Sequence, residues 1–93
     1  MKNQDEFYRK LKINLEETTT FPSKYMFKFI IPSDNAKSER IMEIFNNTGA
    51  VINTKPSKTG KYKSLTILVK MKNAEEIIIK YKEVTAIEGV ISL

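Results

Sequence analysis

The chain is 93 residues long, 41% hydrophobic and 29% charged, with a formal net charge of +5. A chain of this length buries roughly 60 to 65% of its unfolded surface in a single core, which leaves nothing for a second one. It contains neither cysteine nor histidine. That excludes disulfides, thiolate metal sites and cysteine nucleophiles, and it removes both the usual general base near neutral pH and the commonest metal ligand.

The charge is unevenly placed. Residues 1–43 carry eight bases against seven acids, residues 44–74 carry six lysines and no acid, and residues 75–93 carry two bases against four acids. The whole excess therefore lies in the middle third, and such asymmetry points to an anionic partner or to a solvated basic face. No run approaches the roughly 20 apolar residues that cross a bilayer, and the N-terminal MKNQDEFYRK has no apolar stretch of signal-peptide type. No membrane association is expected, and the chain reads as cytoplasmic. Asn46-Asn47-Thr48 matches a glycosylation sequon, which has no meaning in that setting.

Taken in chain order, DEFYRKLKINLEE places Phe7, Leu11 and Leu15 on one stripe of an amphipathic helix, with Asp5 positioned to accept from its first free amides. Thr18, Thr19, Thr20 and Pro22 end it near Glu17. YMFKFII, Tyr25 to Ile31, is a strand with Tyr25, Phe27, Phe29 and Ile31 on one face and Met26, Lys28 and Ile30 on the other. After Pro32, the polar Ser33-Asp34-Asn35 caps a helix over 36–46, whose Ile41, Ile44 and Phe45 form an apolar cluster. Gly49 fits a left-handed helix terminator.

AVINTKP, residues 50–56, ends in a proline and reads as an edge strand, and 57–60 form a bend. From Tyr62 to Met71 the residues Leu65, Ile67, Val69 and Met71 face a core, while Tyr62, Ser64, Thr66, Leu68 and Lys70 face away. Asn73 followed by Glu76 is a reciprocal capping pair for a second core helix with Ile77, Ile78, Tyr81 and Val84 as its buried stripe. Gly89 opens a last strand over 90–93.

Strand, helix, strand, strand, helix, strand is the split βαβ order of an α+β ferredoxin-like sandwich. Right-handed crossovers put both helices on one face of a four-stranded antiparallel sheet of order 4-1-3-2 and leave the other face open. Residues 1–20 then form a leading helix and linker, and 21–93 the ferredoxin-like domain.

FPSKYMFKFI, KPSKTGKYKSLTILV, a tyrosine-bearing helix and the closing EGVISL resemble the YbeD-like family of short bacterial proteins of unknown function. The likeness covers about Phe21 to Leu93, and its most specific features are Phe21-Pro22 with Pro56-Ser57, Gly60, Tyr62 and Ser64. It implies a ferredoxin-like fold similar to regulatory ACT domains that bind small effectors. Members of that family also carry a label as lipoate-linked regulators. The resemblance brings no catalytic residues.

Two candidate binding regions follow. One is the basic hairpin: Lys55, Ser57, Lys58, Gly60, Lys61, Tyr62 and Ser64. The other is the open sheet face: Met26, Lys28, Ile30, Thr66 and Leu68. Gly60-Lys61 is not a phosphate-binding loop, because Lys55 stands where that motif needs a glycine and a strand, not a helix, follows. Edge protection accounts for Lys55 and Pro56, whereas Lys58, Lys61 and Lys63 exceed it. The sequence thus reads as a non-catalytic regulatory or adaptor module for a protein or small anionic ligand, with no cofactor and no metal. A weak nucleic-acid binder is the alternative, although Tyr62 alone is a poor stacking platform. A third option has the open face covered by a second copy or by Phe7, Leu11 and Leu15 of the leading helix.

Overall fold

The computed structural model describes residues 2–93. Its elements run α1 (Lys2–Thr18), β1 (Ser23–Pro32), α2 (Asn35–Ile44), β2 (Val51–Pro56), β3 (Tyr62–Met71), α3 (Ala74–Thr85) and β4 (Ile91–Ser92). The strands form one antiparallel sheet of order β2-β3-β1-β4, which read from the other edge is 4-1-3-2. The long strands β1 and β3 occupy the centre, where their alternating apolar residues are buried under the helices. Phe27, Phe29, Ile31, Leu65 and Ile67 are fully shielded from solvent. They pack with Ile41 and Phe45 of the α2 region and with Ile77, Tyr81 and Val84 of α3.

Local chemistry explains the element ends. The Asp34 carboxylate accepts from the amides of Ala36 at 2.9 Å and Lys37 at 3.4 Å, which satisfies two donors that the first turn of α2 leaves without a helical partner. At α3 the Asn73 side chain accepts from the amide of Glu76 at 2.8 Å. The return bond goes one residue further back than a capping box requires, since Glu76 Oε1 accepts from the amide of Lys72 at 2.9 Å. After α2 the first left-handed residue is Asn47, with φ of 62°, and Gly49 follows with φ of 77°. Asparagine tolerates that region, so the chain turns before it reaches the glycine. The hairpin bend closes through the amide of Gly60 donating to Ser57 O, with Gly60 at φ of 74°.

The leading helix departs from expectation twice. It begins by Lys2, so Asp5 lies inside the first turn, where its charge complements the helix dipole instead of capping. It also does not lie on the open sheet face. Helix α1 packs beside α3, burying Tyr8 and Leu15 and half-burying Leu11, whereas Phe7 is 61% exposed. The physical reason is on α3: Ile78 and Tyr81 flank its core stripe and need cover, and Thr85 and Lys82 supply polar contacts. Tyr8 takes both, with its hydroxyl 3.2 Å from Thr85 Oγ1 and Lys82 Nζ 5.5 Å from its ring centroid. The buried stripe is therefore Tyr8, Leu11 and Leu15 and not Phe7, Leu11 and Leu15.

Candidate binding face

With all three helices on one side, the other side of the sheet is bare, and strand register dictates which residues stand together there. Met26 opposes Leu68, which opposes Val51, giving an apolar row across three strands. Its members are 56%, 42% and 59% exposed, respectively. The next row is Lys28, Thr66 and Asn53, and the one after it Ile30, Ser64 and Lys55, with Ile91 of β4 opposite Ile30. On the other side of the apolar row, Lys24 opposes Lys70. Every open-face residue that the sequence singles out lies in this array.

The sequence does not single out Lys24 and Lys70 as binding residues. Lys70 shares the parity of Leu68 in the sequence, but Lys24 precedes the strand read there, Tyr25 to Ile31, and joins β1 only in the structure, where it confronts Lys70. The face so assembled carries Lys24, Lys28, Lys55 and Lys70 and no acid. Among the described residues the ion pairs are Arg9–Glu6, Lys10–Glu6 and Lys80–Glu83, all on the helices. Among the described residues no carboxylate lies within ion-pairing distance of the sheet lysines.

The hairpin meets this face at one corner. Lys55, Ser57, Tyr62 and Ser64 come together with Ile30, Pro56 and Lys63 around a shallow, almost wholly apolar groove of about 340 Å³. Lys58, Gly60 and Lys61 lie beyond it in the exposed bend. The two serine hydroxyls serve the hairpin itself: Ser57 Oγ accepts from the amide of Tyr62 at 3.2 Å, and Ser64 Oγ donates to Lys55 O at 3.4 Å. Lys63 points to the helix side, where its ammonium donates to Asn35 Oδ1 at 3.0 Å.

Further cavities lie on the helix side, and two of them bear on function. One of about 450 Å³ opens between the end of α2 and the start of α3, but Lys80 on its wall is engaged with Ile44 O at 2.6 Å and with Glu83. Another, about 310 Å³, is lined by Phe7, Tyr8, Leu11, Tyr25, Tyr81, Ser92 and Leu93. Here the Tyr25 and Tyr81 hydroxyls are 2.8 Å apart. Burial, reinforced by that hydrogen bond, pushes the Tyr81 phenol well above its ordinary range. No group of three or more acids able to hold a metal ion occurs among the described residues.

Fold and face together define a small α+β protein of ferredoxin-like type with a bare, basic sheet. Residues 16–93 match the family described as a protein of unknown function (DUF493), and the chain belongs to that family. It is 30% identical over 83 residues to a UPF0250 protein of Shewanella sediminis, covering 86% of this chain and 94% of the relative. A UPF0250 protein of Shewanella halifaxensis is 29% identical over the same length and coverage. The solution structure of protein HP0495 from H. pylori superposes with a TM-score of 0.66, covering 82% of this chain and 86% of that one at 18% identity, a likeness of fold. The family resemblance read from the sequence is thereby established. No helix among the described residues is long and apolar enough to cross a membrane.

Proposed function

We propose that this chain is a non-catalytic regulatory or adaptor module of the bacterial cytoplasm, acting by binding an anionic protein or small ligand on its open sheet face and the adjoining basic hairpin. One observation carries this reading: four lysines and an exposed aliphatic row share a face without a single acid. Solvated surfaces normally mix both signs, and an aliphatic row in the open favours a partner. The chain also lacks the histidine and cysteine on which most proton-transfer and thiol chemistry relies. The kinship to effector-binding regulatory domains implied by the resemblance fits the same role.

The test is a pull-down from native lysate, with and without nuclease, comparing the wild type with a variant in which Lys28, Lys55, Lys58 and Lys61 are glutamine. A partner that survives nuclease and is lost with the variant supports the reading. Equal recovery on both proteins removes it.

The uncompensated lysines also favour a second reading, weak binding of single-stranded nucleic acid. Four lysines on phosphates would give a log-log salt slope of about −3. Absence of binding to a mixed-sequence single strand at tens of micromolar in low salt would eliminate it.

A further inference from the structure

We infer that the occupant of the open sheet face is an acidic segment of another protein in which carboxylates alternate with aliphatic side chains. This deepens the proposed function and rests on it. Along β1 the exposed face reads Lys24, Met26, Lys28, Ile30, a strict alternation of cation and aliphatic side chain with neighbours about 7 Å apart. Lys28 stands between Met26 and Ile30, with Leu68 diagonal to it across the strand pair. An ammonium set among aliphatic side chains loses water when the patch is covered, so whatever covers it must supply an anion at that point. In the row beside the apolar one, the opposed Lys24 and Lys70 repel one another, and a shared carboxylate would relieve both.

Other occupants fit less well. A small anion reaches only one of these positions, because Lys70 and Lys55, which stands opposite Ser64, are about 20 Å apart along the strands. A second copy would bring lysines to lysines, since the face holds no acid to meet them. Single-stranded nucleic acid supplies the charge but needs stacking surfaces, and the face offers aliphatic residues with Tyr62 alone, at its hairpin end. An aliphatic, acidic protein segment meets both requirements.

The experiment is selection from a phage-displayed library of random 12-residue peptides. The protein is immobilised through a single thiol introduced as Met42→Cys, an exposed position on α2 in a chain with no cysteine of its own. Enriched peptides should interleave Asp or Glu with Leu, Ile or Val. Their affinity should fall at least tenfold on Lys28→Gln combined with Lys70→Gln, and stay unchanged on Lys12→Gln. No enrichment, enrichment without acids, or equal binding to the double variant overturns the inference. So does tighter binding of a 20-residue thymidine strand than of any selected peptide, or micromolar self-association abolished by Leu68→Lys. If peptides fail while titration with inorganic phosphate or citrate perturbs the amides of Lys58 and Lys61, this inference falls but the broader binding role stands. If phosphate, citrate and the pull-down are silent as well, both fall.

Discussion

Lys24 on β1 stands directly opposite Lys70 on β3, two exposed cations paired at one end of the central strand pair with no acid on that face. Opposed like charges destabilise a strand pair, so this contact is expected to cost stability in the free protein. Lys70→Glu should raise stability by a few tenths to about 1 kcal/mol at low salt, and the gain should shrink at high salt as the interaction is screened. Urea denaturation at two ionic strengths measures it. Stabilisation accompanied by weaker binding of an acidic partner would show that the repulsion is retained for function.

The Tyr25–Tyr81 pair gives a pH prediction. Because the folded state holds the Tyr81 proton more tightly than the unfolded chain, the unfolded state binds fewer protons above the ordinary phenol value of 10.0. Its contribution to stability is therefore fully present below pH 10.0 and is lost as pH rises beyond that value. Tyr81→Phe should flatten this alkaline decline. It should also cost about 0.5 to 1.5 kcal/mol at neutral pH through the lost hydrogen bond to Tyr25. Denaturation midpoints between pH 7 and 11 provide the check.

Helix α1 covers α3 and not the sheet, so its role should be structural. Leu15→Ala should destabilise by about 2 to 4 kcal/mol, as expected for a truncated buried leucine, without altering binding to the sheet face. Phe7→Ala should shift stability by no more than about 0.5 kcal/mol, given the exposure of that side chain. Thermal or chemical unfolding distinguishes the two, and a loss of partner binding in Leu15→Ala at full folding would contradict the placement.

Among the hairpin lysines the expected effects are graded. Lys58 and Lys61 extend from the bend into solvent, whereas the Lys63 ammonium is bonded to Asn35 on the helix side. Single glutamine substitutions at 58 and 61 should weaken an anionic partner more than Lys63→Gln, with folding unaffected by circular dichroism. Affinity unchanged in the triple variant would assign the hairpin charge to solubility alone.

The order of elements, the face to which each strand residue belongs, the Asp34 and Asn73 caps and the edge position of β2 were all legible in the sequence. Each depends on chemistry within a few residues: alternation along a strand, a side-chain oxygen near free amides, a proline that cannot donate. The helix-side orientation of Lys63 also follows from parity. Two things only the tertiary structure decided. Strand parity places Lys70 on the open face, but that β1 reaches back to Lys24 and sets it opposite Lys70 depends on register, fixed jointly by the hairpin and by the packing of both central strands under the helices. And the apolar stripe of α1 had several faces it could have covered. The α3 flank won because it offers apolar surface together with a hydroxyl and an ammonium for Tyr8, a match between residues 77 positions apart that no local pattern records.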